Sequence, residues 1–191
     1  FYVGSSDLAA YLFVSKAGLI VLDGGDAATG RQVVDNIRSL GFDPAQVKIL
    51  LNSHQHFDHA AGLAAIRRAA PDSRLYASAA DGPIIAAGGK GDPFLKGATY
   101  EYEPVPVAKT LKDGEKVALG GWTLTAHVTG GHTAGCTTWT FPVRIDSESQ
   151  VSLFAYDNDN FIVQSFRPAE TTVDISIAGD VATVQFKRFD L

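Results

Sequence analysis

The sequence predicts an α/β fold with an all-β C-terminal segment, and three observations carry that expectation. Short apolar runs alternate with segments of helical period from Leu8 to Ala77. Strand-like segments separated by Gly-rich turns follow from Lys116. After about Arg144 alanine becomes scarce, helical periodicity is lost and histidine disappears. Apolar runs too short for a helix read as buried strands, and apolar residues three and four apart read as one face of a helix, so strands and helices take turns along the first part of the chain.

From Leu8 to Leu22, two apolar runs joined by Lys16-Ala17-Gly18 predict a β-hairpin ended by Asp23-Gly24-Gly25. Thr29 is the expected cap of a helix carrying Val33, Val34, Ile37 and Leu40 on one face and stopping at Gly41. Val47 to Leu51 predicts a buried strand. Leu63 and Ile66 among alanines predict a helix closed by Pro71-Asp72, and Arg74 to Ala77 a further strand. Residues 86–99, rich in Gly and Lys, read as a loop over one face with a short helix at Ile84 and Ile85. Lys116 to Leu119, Trp122 to Val128 and Thr137 to Val143 supply three strands, the first two joined at Gly120-Gly121. Four more are expected at Val151 to Tyr156, Phe161 to Phe166, Thr171 to Ile177 and Ala182 to Phe189, the last two flanking a hairpin at Ala178-Gly179-Asp180.

With 191 residues, 46% hydrophobic and 19% charged, the chain suits one domain, or one domain with a small appendage, and disorder is not expected. A net charge of -5 with no Lys/Arg cluster argues against nucleic acid or an anionic membrane as partner and leaves a small molecule. No apolar run is long enough to span a membrane. Cys136 is the single cysteine, so no intrachain disulfide forms. The absence of methionine is expected of a chain that starts downstream of its natural initiator.

Chemistry concentrates in His54-Gln55-His56-Phe57-Asp58-His59. Side chains two apart in an extended segment point the same way, so His54 and His56 can offer two imidazoles to one point as the chain leaves the Val47 to Leu51 strand. Asp58 and His59 fall where the next helix starts, with Asp58 a natural cap, and bring a carboxylate and a third imidazole close by. His132, in a Gly-flanked turn after the Trp122 to Val128 strand, can complete a three-histidine site whose open fourth position holds water. Zinc in such a site lowers the pKa of bound water to roughly 7 and polarises a carbonyl, which is the chemistry of hydrolysis. Asp58 would orient the nucleophile, ligate a second metal or relay a proton to the leaving group.

Other residues read as structural. His127 belongs to the face opposite Trp122, Leu124 and Ala126; Asp23 is a turn residue supporting a ligand; Cys136 is a small buried neighbour of the site, with ligation by its thiol as the lesser alternative. Trp122, Trp139 and Phe154 fit core positions. Ile84, Ile85, Phe94 and Leu95 are equally compatible with a substrate wall or with packing.

The run Asn52-Ser53-His54-Gln55-His56-Phe57-Asp58-His59-Ala60-Ala61-Gly62, with Gly131-His132-Thr133-Ala134-Gly135-Cys136-Thr137-Thr138-Trp139, resembles the metallo-β-lactamase superfamily, and within it the third subclass of zinc β-lactamases. Residues Gly4 to Leu12 and Leu22-Asp23-Gly24-Gly25 fit as well. The resemblance covers about residues 1–143 and divides the chain into an N-terminal metallo-β-lactamase-like portion and a β-rich segment, 144–191, that either completes the fold or is appended to it. It implies an αββα sandwich with metals at one edge of the two sheets, a first Zn2+ on His54, His56 and His132, a second on Asp58 and His59, and opening of a β-lactam ring by zinc-bound hydroxide. It also implies a periplasmic or secreted location. The family's second site takes one more histidine from its C-terminal half, and here the histidines are 54, 56, 59, 127 and 132 only. Asp157, closing a segment that resembles the family's later strand near the metals, is a candidate replacement. Two alternatives remain: a thioester or lactone hydrolase of the same superfamily, and a non-catalytic zinc-binding remnant from a truncated or fused gene; the missing half is rebuilt either by Val151 to Leu191 or by a second chain through exchange.

Overall fold

A computed structural model of the chain describes residues 1–144, 150–155, 171–178 and 181–188. Strands β1 (Tyr11–Ser15) and β2 (Gly18–Leu22) form the expected hairpin, with Tyr11 opposite Leu22 and Ser15 opposite Gly18. Parallel crossovers then add β3 (Val47–Leu51), β4 (Arg74–Ser78) and β5 (Val107–Leu111), giving a five-stranded sheet in the order β1-β2-β3-β4-β5. The crossovers carry helices α1 (Ala27–Ser39), α2 (Phe57–Ala60), α3 (Leu63–Ala69) and α4 (Gly82–Ala86). An antiparallel second sheet runs β6 (Lys116–Leu119), β7 (Trp122–Val128), β8 (Thr137–Arg144), β9 (Gln150–Ala155). Strands β10 (Thr171–Ala178) and β11 (Val181–Arg188) pair with each other, Ala178 opposite Val181, as a hairpin requires. The expected strand at 161–166 lies outside the described residues.

The uninterrupted apolar character of β2 and β3 follows from burial on both faces. Leu19, Val21 and Leu50 point toward Val33, Ile37, Leu63, Ile66 and Ile85 of the helices. Their neighbours Ile20, Leu22, Ile49 and Leu51 point the other way, against Leu124, Ala126, Trp139 and Phe141 of the second sheet. The two cores stack as helices, sheet, sheet, which is the αββ part of the expected sandwich. Among the described residues no helix follows β8.

Three local expectations are corrected. Helix α1 is capped by Asp26, whose Oδ1 accepts from Thr29 N at 2.7 Å, so Thr29 lies inside the first turn. Leu40 is the C-cap and 40% exposed, because Gly41 at φ 86° turns the chain and Phe42 N reaches back to Ile37 O. Strand β5 has no expected counterpart, because only Leu111 is fully buried and Ala108, Lys109 and Thr110 face solvent, so no alternation marks this sheet edge in the sequence.

Close backbone approach fixes the helices near the histidine run. A Cβ on Gly62 would lie 1.9 Å from Gly24 O, and one on Gly30 would lie 2.3 Å from Gly62 O. The β2–α1 connection can therefore touch the α2–α3 bend, and Gly24 N donates to His59 O at 3.0 Å and Gly62 N to Gly25 O at 2.9 Å.

Candidate metal centre

Three connections meet at one edge of the two sheets: the end of β2, the β3–α2 segment and the β7–β8 turn. Thr137 N donates to Ser53 O at 2.7 Å and Trp139 Nε1 to Asn52 O at 3.1 Å, so the start of β8 is bonded to the segment carrying the first histidines. His54, His56 and His132 each turn a ring nitrogen into a group whose ligand atoms all lie within 4.8 Å of one another. His56 Nδ1 and His132 Nε2 are 2.9 Å apart. In a tetrahedral site with metal–nitrogen bonds of about 2.0–2.1 Å the nitrogens stand roughly 3.3 Å apart, so a small outward adjustment accommodates a zinc-like ion. Burial, then the neighbouring His54 and His132, lowers the His56 pKa to about 4, which keeps its imidazole neutral and able to ligate near pH 7. The donor set and its spacing fit a divalent metal.

A second group, His54, Asp58 and His59, satisfies the same 4.8 Å limit. His59 Nδ1 lies 3.1 Å from Asp23 Oδ2 and 3.2 Å from Ser53 Oγ, which turns Nε2 toward Asp58 Oδ2 at 4.0 Å. A carboxylate behind an imidazole fixes its tautomer and raises its basicity as a ligand. Asp58 sits in the first turn of α2, where His56 is the N-cap, so the expectation of Asp58 as a cap is corrected and its carboxylate is available to the site.

Carboxylates hold this assembly from behind. Asp23, at φ 63°, accepts from Asn52 Nδ2, Ser53 N and Ser53 Oγ at 3.0, 2.7 and 2.7 Å. A left-handed backbone is rare outside glycine, although Asp tolerates it better than most, and the bonds to the β3–α2 segment hold it there. Asp81, 2% exposed, accepts from Gln55 N at 3.1 Å, Thr133 Oγ1 at 2.7 Å and Gly135 N at 2.8 Å. It thereby clasps the segment of His54 and His56 to the turn of His132. Burial raises the Asp81 carboxyl above its ordinary range, against the hydrogen bonds from Thr133, Gly135 and Gln55. Asp92 accepts from Gln55 Nε2 at 2.6 Å and from Phe94 N and Leu95 N at 2.8 and 2.9 Å, and its Oδ2 lies 3.4 Å from His56 Nε2. Burial pushes that carboxyl up, but the bonds from Leu95, Phe94 and Gln55 outweigh it and hold the pKa below the usual value. Tyr102 donates to Gln55 O at 2.6 Å; burial, then Asp81 and Asp92, raises its phenol so that it stays protonated.

The sequence profile described as the metallo-beta-lactamase superfamily matches residues 8–144. The chain belongs to the metallo-beta-lactamase superfamily. Its fold is similar to that of the native FEZ-1 metallo-beta-lactamase from Legionella gormanii, at 40% identity and a TM-score of 0.76, over 80% of this chain and 58% of that one. It is also similar to BJP-1, a subclass B3 metallo-beta-lactamase of Bradyrhizobium japonicum, at 34% identity and a TM-score of 0.72, over 80% and 57%. The class B3 di-zinc metallo-beta-lactamase LRA-12 from an Alaskan soil metagenome matches at 32% and 0.73, again over 80% and 57%. The chain thus spans less than two thirds of the length of these relatives. A different profile, described as a probable glycosyl hydrolase C-terminal domain, matches residues 142–186.

His54, His56, His59, Asp58 and His132 all reach the same edge of the sheets. Asp157 lies outside the described residues. His127 Nε2 is 2.9 Å from Thr140 Oγ1 on the side of β7 away from the core residues Leu124 and Ala126. Cys136 is fully buried and is in neither metal-ligating group found among the described residues. Trp139 is fully buried, and Trp122 packs edge-on to Phe13 with ring centroids 5.2 Å apart. Ile85 belongs to the helical core, whereas Phe94 is 77% exposed. Asp81, Asp92 and Tyr102 were not singled out by sequence. Asp81 precedes Gly-Pro at a helix start and reads as an ordinary cap, yet its side chain makes no cap bond and reaches residues 133 and 135 instead.

Proposed function

We propose that the chain is a zinc-dependent hydrolase of β-lactamase type, acting on a small cyclic amide, with His54, His56 and His132 holding a first ion and Asp58 and His59 contributing to a second. The observation that carries this reading is the convergence of three ring nitrogens within 4.8 Å at the rim of the two sheets, with the half-buried Asp58 beside them. An ion held there supplies an acidified water and a Lewis acid for the carbonyl. The chain's own residues supply the rest. Asp58 can orient the attacking water and take or return a proton. Asp23 and Ser53 orient His59. Asp81 keeps the two histidine-bearing segments in register.

The profile boundaries at 144 and 142 support a division near residue 143 into a metallo-β-lactamase-like portion and a C-terminal β-rich segment. Kinship with β-lactamases supports a periplasmic or secreted setting and a role in antibiotic resistance. The test is hydrolysis of a penicillin, a cephalosporin and a carbapenem by the purified chain, with and without chelator. Zinc-restorable turnover is expected. Turnover of thioesters or lactones alone would move the substrate while keeping the centre, and no turnover of any of these would overturn the reading. One observation favours a second reading, a non-catalytic zinc-binding remnant: the metallo-beta-lactamase profile stops at residue 144 and a different profile takes over from residue 142. One zinc per chain without turnover would support it, and two zincs with turnover the enzyme.

A further inference from the structure

We propose that Asp92 is a positioning residue that sets the metal-facing tautomer of His56 and, through the same carboxylate, registers the Phe94-bearing loop against the metal centre. The proposal rests on the reading of His56 as a zinc ligand. His56 turns Nδ1 into the histidine group, 2.9 Å from His132 Nε2, and Nε2 toward Asp92 Oδ2, 3.4 Å away. Both His56 and Asp92 are buried, so a carboxylate at this distance acts through a medium that screens it weakly. His56 Nε2 is buried and makes no hydrogen bond of regular geometry, so Asp92 acts on it by charge: a carboxylate oxygen 3.4 Å away favours the proton on Nε2, which leaves the lone pair on Nδ1. The second oxygen of Asp92 accepts from the Phe94 and Leu95 amides and so shapes the loop backbone. Oδ2 also accepts from Gln55 Nε2, and Gln55 lies between the ligands His54 and His56. A single carboxylate therefore touches a metal ligand, the residue between two ligands and the loop that carries an exposed aromatic ring.

Substitution separates these contacts. In Asp92→Asn, Oδ1 still accepts from the loop amides, and Gln55 can turn its amide to meet the new NH2 group. His56 cannot adapt in the same way: its Nε2–H would face a donor, which favours the tautomer with the proton on Nδ1, inside the metal group. In Gln55→Ala the tether to Gln55 is lost while the Asp92–His56 contact and the loop bonds remain.

The experiment combines zinc titration against a competing chelator with side-chain nitrogen NMR of the metal-free full chain, for wild type, D92N and Q55A. D92N is expected to bind zinc roughly 10–100-fold more weakly, the range for losing a carboxylate behind a ligand histidine. Its His56 should move from the Nε2–H toward the Nδ1–H tautomer, a signature that loss of packing alone would not produce. Q55A is expected to weaken zinc binding less than D92N does, since the bond it removes ends on Asp92 and not on a ligand histidine, and the Asp92–His56 contact stays in place. D92N with zinc affinity within twofold of wild type and His56 unchanged would overturn the proposal. So would a loss in Q55A as large as that in D92N. A wild type that takes up no zinc would instead overturn the metal-site reading, and the tautomer comparison would still decide the role of Asp92.

Discussion

Replacing Asp81 with alanine is the sharpest test of how the site is assembled. The carboxylate is the common acceptor for Gln55 N at 3.1 Å, Gly135 N at 2.8 Å and Thr133 Oγ1 at 2.7 Å. The Thr133 hydroxyl can rotate to another acceptor, but the two amides are fixed by the backbone. Leaving two buried N–H groups without an acceptor costs about 1–3 kcal/mol each, or roughly 2–6 kcal/mol together. Relief from burying a carboxylate, visible in the raised pKa of Asp81, offsets part of this, so a net loss of about 3 kcal/mol is expected. For a chain of this size that lowers Tm by about 6–12 °C. Thermal unfolding of the metal-free protein measures it, with Asp81→Asn expected to lose about half as much because one amide oxygen remains. Zinc affinity should fall in parallel, since both histidine-bearing segments lose their shared anchor. A Tm within about 1 °C of wild type, with zinc affinity unchanged, would refute the clasp.

His56→Ala should lower zinc affinity at least about tenfold in a chelator competition, because it removes one of three converging imidazoles. The metal-free protein should lose stability as pH falls from about 6.5 toward 4. The folded pKa of His56, about 4, lies below its ordinary 6.5, so the unfolded chain takes up the proton first. The stability is fully present above the unfolded value and lost as pH drops through this window, and His56→Gln should flatten the slope in a series of melts. Gly62→Ala should destabilise by about 3 kcal/mol or prevent folding, since its Cβ would sit 1.9 Å from Gly24 O and the overpacking cannot be relieved by a side-chain rotation. Denaturant unfolding checks this.

Much of the first sheet was legible in the sequence. The runs Leu19 to Leu22 and Val47 to Leu51 are apolar without interruption because both faces of their strands are buried, and their shortness separates them from helices. Helix α1 was legible from its apolar spacing, although its cap was not, because Asp26 and Thr29 are both good caps and only backbone geometry chooses. Strand β5 was hidden by its exposed middle. The histidine pattern was legible because ligand chemistry demands rare residue types at short spacing.

The sequence by itself determined the residue types of the candidate ligands, their nearness in His54 to His59 and the strand-end setting of His132, since these follow from local spacing and backbone period. Only the tertiary structure decided that His132 Nε2 lies 2.9 Å from His56 Nδ1, and that Asp81 and Asp92 stand behind the site. The physical reason is range: a hydrogen bond such as Thr133 Oγ1 to Asp81, across more than fifty residues, leaves no periodic trace in either segment. It exists because the two sheets stack on Trp139, Leu51 and Leu22, and that stacking carries the β7–β8 turn to the end of β3.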